Sequence, residues 1–445
     1  MKHKIKEPVA ILGFGTEGKA ALKFLKSQKI KDITVCDQKP DLDIPKGIKV
    51  RLGDLALDQL SDFKTIIRSP GIQVSLPCIK EAHQLGSIIT SLTKLTLEFA
   101  SDRITAITGT NGKTTTVSLC EQILGAHYGN KLIVGGNDRH PVLERAIKYA
   151  DSPILMEVSS FQFADLEHSP YIAAVLNITP NHLDWHENLQ EYISAKENIL
   201  KHQSHTDWAV LNTANENSAK LIHSTPAQQF WINEKKGKNW AVWDDGYLKI
   251  SFDGKVENVL HYDQLNVKTH PDNLLFAAAI AKLHFVPVST IEEQIKLFKG
   301  AEHRLEFVRT LKDIHFYNDS SSTSPESAMT AIDQFLPHKL ILMLGGSSKN
   351  ADFGFLASEI VNKGIRVYLY GKEGQIIKEE ILAAGGQNLI LDYCKKKDFG
   401  HIVEAVLSMA KPEDSIVLSP ACASFDMFKN SKDRGQQFKK IVGEL

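Results

Sequence analysis

Thr108-Gly109-Thr110-Asn111-Gly112-Lys113-Thr114-Thr115 decides the reading of this chain. The stretch follows an apolar, β-rich run, Ile104 to Ile107, and precedes a segment able to form a helix, Thr116 to Leu124. Strand, glycine loop and helix in that order are the setting of a phosphate-binding loop. Gly109 and Gly112 let backbone N–H groups turn inward around a phosphate, and the helix aims the positive end of its dipole at the same place. In such a loop Lys113 reaches the β- and γ-phosphates of a nucleotide, and the Thr114 hydroxyl binds Mg²⁺. The spacing is not GxxxxGK[ST], because the first glycine lies three residues before the second instead of five. The competing reading is an ordinary strand-to-helix turn with a solvent-facing lysine.

Upstream, strand and helix patterns alternate over the first 97 residues. An apolar strand, Val9 to Gly13, runs into Gly13-Phe14-Gly15-Thr16-Glu17-Gly18 and then a helical pattern from Lys19 to Gln28. A second strand, Ile33 to Cys36, ends at Asp37. Glycines followed about twenty positions later by an acidic residue suggest a dinucleotide-type unit, with the loop on a pyrophosphate and Asp37 on a ribose or base. Thr65 to Ile67 is a further strand, closing on Ser69-Pro70-Gly71-Ile72.

Downstream, strands Ile154 to Val158 and Ala173 to Ile178 end near Glu157 and near His182 and Asp184. A helix is expected over Leu189 to His202, carrying Lys196, and another over Pro271 to Lys282. Residues 227–268 are β-rich, with hairpin turns at Trp243-Asp244-Asp245-Gly246 and Phe252-Asp253-Gly254. A third α/β unit starts near Phe298, with strands at His315 to Tyr317, Leu340 to Leu344, Val367 to Tyr370 and Ser415 to Leu418. Glu157 stands where it can bind Mg²⁺, which prefers hard oxygen ligands, or cap a helix. His182 alone reads as a structural hydrogen-bonder. The Lys395-Lys396-Lys397 run reads as solvated surface.

Composition narrows the class. The chain has 445 residues, 42% of them apolar and 24% charged, with a net charge of −1. That length exceeds one core and suggests about three domains. Neutral charge gives no reason to expect nucleic acid or an anionic membrane as partner. No apolar run reaches membrane-spanning length. The basic start, Met1 to Lys6, lacks the apolar region of a signal peptide. Five dispersed cysteines without a CxxC pair fit a cytoplasmic protein with reduced thiols. Nothing in the composition speaks against a monomer.

Taken in order, these stretches resemble the Mur ligase family of peptidoglycan synthesis, and the resemblance spans essentially the whole chain. Besides the glycine loop it rests on Gly135-Gly136-Asn137, Glu157-Val-Ser-Ser-Phe-Gln162, Asn177-Ile-Thr-Pro-Asn-His-Leu-Asp184 and Tyr192-Ile-Ser-Ala-Lys196. Glu302-His-Arg-Leu-Glu306, Asn318-Asp-Ser320, Gly345-Gly346 with Lys349 and Asp352, and Leu418-Ser-Pro-Ala-Cys-Ala-Ser-Phe-Asp426 continue it. The Ser-Ser-Phe-Gln and Ser-Pro-Ala-Cys-Ala-Ser stretches point to the D-glutamate-adding branch.

The resemblance implies three α/β domains. Residues 1–97 would form a Rossmann-like domain for the UDP-linked substrate, 98–297 a P-loop-type ATP domain, and 298–445 a Rossmann-like domain that closes on ATP and amino acid. The implied reaction is ATP-dependent amide ligation through an acyl phosphate, joining D-glutamate to UDP-N-acetylmuramoyl-L-alanine. By resemblance Gly109, Thr110, Asn111, Gly112, Lys113, Thr114, Thr115, Asn273, Arg304 and Asp319 contact ATP. Thr114 and Glu157 hold the Mg²⁺ between the phosphates, while His182 and Lys196, a lysine the family carbamylates, serve a second metal. Lys113, His182 and Lys196 form the catalytic set. Phe14, Thr16, Asp37, Gln38, Ser69 and Asn137 line the UDP-substrate pocket, and Thr323, Lys349 and Ser424 take the amino acid.

The chain also departs from the family pattern. Asp319-Ser320-Ser321-Ser322-Thr323 stands for Asp-Ser-Lys-Ala-Thr, so a lysine is missing. Ser431 aligns with a position that is often aromatic, Asn181 replaces an acidic residue before His182, and Asp138-Arg139 follows Asn137 where Ile-Gly is typical. The adenine-side pattern His-Asn-x-x-Asn becomes Asp272-Asn273-Leu274-Leu275-Phe276. Lys349 is a candidate for the missing charge. A related ligase with another acceptor such as L-glutamate, a folate-type polyglutamate ligase, and a non-catalytic nucleotide-binding relative stay open at this point. The separate glycine-loop domain at the N-terminus argues against the folate type.

Overall fold

The computed structural model describes residues 5–137, 140–163, 165–179, 188–265, 269–347, 351–395 and 398–445. Two compact units divide the chain: Met1–Gln264 with His270–Ile295, and Leu265–Thr269 with Lys296–Leu445.

The first unit holds two sheets. Strands β1 (Val9–Leu12), β2 (Ile33–Asp37), β3 (Lys49–Leu52), β4 (Thr65–Arg68) and β5 (Ile88–Thr90) form a parallel sheet in the order β3-β2-β1-β4-β5. β1 is buried along its whole length, as a central parallel strand covered on both faces must be. The helix after it, Thr16–Ser27, lies against the strand because Gly18 has no Cβ: one built there would sit 2.1 Å from the Gly13 carbonyl oxygen. Ile11, Phe14, Leu22, Phe24 and Val35 fill the core on one side.

The second sheet comprises β6 (Ile104–Thr108), β7 (Ile133–Gly136), β8 (Ile154–Glu157), β9 (Ile172–Val175), β10 (Trp208–Asn212), β11 (Gln228–Ile232), β12 (Trp240–Asp244), β13 (Tyr247–Phe252) and β14 (Lys255–His261). Its order is β14-β13-β12-β11-β10-β9-β6-β8-β7. It is parallel through β12 and closes in an antiparallel meander of β12, β13 and β14. The expected hairpins are there. Asp245 and Gly246 have φ of 49° and 76°, and Asp253 and Gly254 have φ of 52° and 81°. Paired positive φ is the geometry that an Asp-Gly turn supplies between twisted strands.

The expected helix over Leu189 to His202 is shorter, Leu189–Glu197. Beyond it Ile199 N bonds Lys196 O and Leu200 N bonds Glu197 O, so the chain tightens into three-residue turns.

In the second unit, β15 (Glu306–Leu311), β16 (Ile314–Asn318), β17 (Leu340–Gly345), β18 (Arg366–Tyr370), β19 (Ile390–Cys394) and β20 (Ser415–Leu418) form a sheet in the order β15-β16-β20-β17-β18-β19. Only the edge pair β15 and β16 is antiparallel. β17 and β20 are buried throughout, with separate apolar clusters on the two faces of the sheet. Among the described residues no helix is long and apolar enough to cross a membrane.

Candidate active site

β6 leads into the glycine loop, and the helix Lys113–Tyr128 leaves it. Gly112 caps that helix at φ 83° without any side-chain cap, so no hydroxyl or carboxylate competes for the first N–H groups. A Cβ at Gly112 would meet Asn273 Oδ1 at 2.4 Å, and the same oxygen accepts from the Thr116 hydroxyl at 3.2 Å. Asn273 therefore packs under the loop from the helix Pro271–Leu283.

The loop is held by its neighbours. Thr110 N bonds Asn177 O, Asn111 N bonds Asn177 Oδ1 at 2.9 Å, and the Asn177 amide returns a bond to Asn111 O. The Thr110 hydroxyl bonds the Thr179 carbonyl at 3.1 Å and lies 3.0 Å from the Tyr192 hydroxyl. Lys113 Nζ folds back on the loop, donating to Gly109 O at 2.8 Å and Thr110 O at 3.0 Å. Thr115 is half-buried on the same first turn.

Glu157 ends β8 beside this loop, 1% exposed. Its Oε1 accepts from the Thr114 hydroxyl at 3.3 Å and from the Asn137 amide at 3.1 Å. Its Oε2 is buried with no hydrogen-bond partner among the described residues. A buried carboxylate oxygen left without a donor is costly unless a cation or water meets it. Lys196 is equally buried, donating to the Thr108 hydroxyl and to Gly109 O, both at 3.2 Å, with its Nζ over the Tyr192 ring. Burial, reinforced by the Lys113 charge, holds Lys196 well below the ordinary lysine range. Thr114, Asn137, Glu157, Lys113 and Lys196 thus converge on one loop. His182 and Lys349, and the departures at Asn181, Asp138 and Arg139, lie outside the described residues.

On the first sheet the glycine loop is closed by Asp37, whose carboxylate accepts from Phe14 N at 2.6 Å and Lys39 N at 2.9 Å. Phe14 itself is a core side chain, while Thr16 and Gln38 are exposed. The Ser69 hydroxyl donates to Gly13 O at 3.0 Å. Arg68, not anticipated from sequence, and Gln162, quoted there in a motif without a role of its own, tie this sheet to the helix Ser160–Phe163 after β8. Arg68, fully buried, bonds Asp165 at 2.6 Å, Phe161 O and Ile72 O. Gln162 donates to Glu17 Oε1 at 3.1 Å and Thr93 Oγ1 at 3.2 Å, and its own carbonyl oxygen accepts from Ser159 N. A charge closing an apolar strand, as in Thr65-Ile-Ile-Arg68, is the signal that could have found the first.

Glu17 has a pH consequence. Burial pushes its carboxyl up to about 7, against the pull of Gln162 and Arg68. Folding therefore takes up a proton between the ordinary carboxylate pKa and about 7, and this group's contribution to stability is lost as pH rises through that window. Glu17→Gln is expected to raise the melting temperature at pH 8, by on the order of 1 kcal/mol of added stability, and to leave it nearly unchanged at pH 5. Paired thermal melts check this, and an equal shift at both pH values would contradict it.

In the second unit Asp319 is 3% exposed and accepts from Leu305 N, the Ser322 hydroxyl and the Ser419 hydroxyl. Burial pushes it up to about 6, with the Arg304 charge among the groups opposing that. Asp319 thus binds three loops together and spends its oxygens internally. Thr323 is half-buried and Ser424 is buried, in the loops that follow β16 and β20. Ser321 N bonds His303 O, and the Ser431 carbonyl accepts from the Ser320 hydroxyl at 2.7 Å.

Three family models match in chain order: "Mur ligase MurD-like, N-terminal domain" over residues 7–91, "Mur ligase middle domain" over 107–272, and "Mur ligase, glutamate ligase domain" over 303–422. Similar proteins include the UDP-N-acetylmuramoylalanine–D-glutamate ligase of Symbiobacterium thermophilum, 31% identical over 99% of both chains. The enzyme of the same name from Clostridium kluyveri is 34% identical over 98% of this chain and 96% of its own. Among solved structures, a MurF ligase from Thermotoga maritima in complex with ADP shares the fold at TM-score 0.59 and 15% identity, covering 100% of this chain and 96% of that one. With ordered domain matches and relatives above 30% identity along nearly its full length, the chain belongs to the Mur ligase family.

Proposed function

We propose that the chain is an ATP-dependent ligase that joins D-glutamate to UDP-N-acetylmuramoyl-L-alanine in cytoplasmic peptidoglycan precursor synthesis. The observation that carries the reading is Glu157: one oxygen held by Thr114 and Asn137, the other buried and unmet among the described residues, at the mouth of a phosphate loop. A donor set of hydroxyl and carboxylate, dry and negatively charged, suits Mg²⁺. Thr114 and Glu157 would hold one such ion, and His182 with a carbamylated Lys196 a second. When bound, the ions neutralise the phosphates and the attacking carboxylate.

The substrate carboxylate attacks the γ-phosphorus, forming an O–P bond as the β–γ bridge breaks and ADP leaves. The amine of the amino acid then attacks the acyl carbon, loses a proton, and phosphate departs. Lys113 serves the first step by leaving the Gly109 and Thr110 carbonyls for the γ-phosphate. Gly112 to Thr115 offer N–H groups to the phosphates, while Thr110 and Asn111 spend theirs on Asn177 and Asn273 braces the loop beneath them. Thr323, Ser424 and Lys349 offer hydroxyl donors and a cation to the dicarboxylate.

Phosphate release from ATP and Mg²⁺ in the presence of UDP-N-acetylmuramoyl-L-alanine, across a panel of amino acids, tests the reading. Stimulation by D-glutamate, with little from L-glutamate, is the expected result. Stimulation by a different amino acid would make Ser321 and Ser431 determinants of a new acceptor specificity. No turnover with any amino acid, by protein that binds ATP, would overturn the ligase reading.

A further inference from the structure

Arg434 is among the largest fully buried side chains, on the polar first turn of the helix Ser431–Glu444. Its Nε donates to the Ser320 hydroxyl at 2.9 Å, and one terminal nitrogen donates to Ser320 O at 2.9 Å and Cys422 O at 3.1 Å. The other terminal nitrogen donates to Ala423 O at 3.3 Å. The planar fork thereby ties the loop after β16, which carries Thr323, to the loop after β20, which carries Ser424. Gly435 extends the same clamp, its carbonyl accepting from the Asn318 amide at 3.3 Å.

All four of these partners are neutral oxygens. Among the described residues no carboxylate forms an ion pair with Arg434. The neighbouring Asp426 leaves both of its buried oxygens without a hydrogen-bond partner there. Buried guanidinium groups are ordinarily paired, because an uncompensated charge in a dry site is expensive. The guanidinium is fully buried under the Cys422-Ala423 carbonyls, so its charge acts on a ligand at the adjoining Ser424 loop through space and not by contact. The same unit has Ser321 where a lysine would otherwise stand.

We infer that Arg434 is a positioning and specificity-determining residue for the acceptor amino acid: it fixes the Thr323 and Ser424 loops in one register, and its charge favours an acidic side chain over a neutral one. The inference rests on the ligase reading above. Lysine at this position keeps the charge but loses the fork, whereas glutamine loses both.

The test is steady-state kinetics of Arg434→Gln and Arg434→Lys with D-glutamate and its amide, D-glutamine, alongside thermal melts. In Arg434→Gln the KM for D-glutamate should rise about tenfold or more, with the KM for ATP changing less than about twofold, and the preference for D-glutamate over D-glutamine should shrink. Arg434→Lys should recover most of that preference but only part of the KM. Ser320→Ala, a small change that leaves the guanidinium in place, covers the case in which the arginine variants do not fold. It should raise the amino-acid KM by a few-fold and leave the acid–amide preference intact. Equal rises in both KM values, or an unchanged acid–amide preference in Arg434→Gln, would overturn the inference. So would an unchanged amino-acid KM in Ser320→Ala where the arginine variants are insoluble. A parent protein that turns over no amino acid would instead sink the ligase reading itself.

Discussion

Lys113→Ala is expected to lower amino-acid-dependent phosphate release by on the order of a thousandfold while changing thermal stability by less than about 1 kcal/mol. The asymmetry follows from where the ammonium sits. In this structure it bonds Gly109 O and Thr110 O, at the half-buried start of the helix, where water can take its place. On the proposed reading its other role is electrostatic, toward the γ-phosphate as charge moves there during transfer. A second effect adds to the first. The Lys113 charge is one of two causes that hold Lys196 below its ordinary range, the other and larger being burial. Removing it lets Lys196 keep its proton more readily, which on the proposed reading leaves a cation where an oxygen ligand would stand. Phosphate-release kinetics with a thermal melt on the same preparation check this. A drop of tenfold or less would remove Lys113 from the chemistry, and a large loss of stability would recast it as a structural brace.

The strand, glycine loop and helix were legible because their signal is local. Two glycines between an apolar run and a helix leave few alternatives, and β6, the loop and the helix Lys113–Tyr128 follow one another without interruption. The Asp-Gly turns of the meander were legible for the same reason. Other elements depend on partners distant in sequence. β3, β5, β15 and β19 are short or part-exposed edge and near-edge strands, and they lack the apolar run that marks β17. Lys196 was marked by the resemblance, but its burial was not legible, because it stands in a moderately polar helix and meets Thr108 and Gly109, 88 and 87 residues away. Arg434 is hidden even more thoroughly, because Ser-Lys-Asp-Arg-Gly-Gln-Gln carries no apolar residue to mark an inward face. Asp37 shows the converse. Its spacing from the glycines was read as placing it on a ribose or base, and its carboxylate accepts from Phe14 N and Lys39 N, so a ribose would have to compete with the backbone.

Lys196 carries the second large expectation. Burial strips its ammonium of hydration, and no carboxylate among the described residues forms an ion pair with it. The side chain therefore gives up its proton more readily than an ordinary lysine does. A neutral amine attacks carbon dioxide, forming an N–C bond and releasing a proton, and the resulting carbamate presents oxygens where a lysine presented a positive charge. Mg²⁺ accepts such oxygens and is repelled by an ammonium, so on the proposed reading the modification and the metal would support one another. Lys196→Arg cannot be carbamylated and keeps its proton, and it should lower turnover by on the order of a hundredfold or more. Lys196→Ala should be comparably slow but regain part of its rate with added short-chain carboxylic acids, which can occupy the vacated space as oxygen ligands. Spectra recorded with ¹³C-labelled bicarbonate should show a carbamate carbon in the parent protein that Lys196→Arg lacks. If the resonance is absent from the parent and carboxylic acids fail to restore Lys196→Ala, then Lys196 acts as a buried amine that holds the Thr108 hydroxyl and the Gly109 carbonyl in place. The second ion would then have to be held without it.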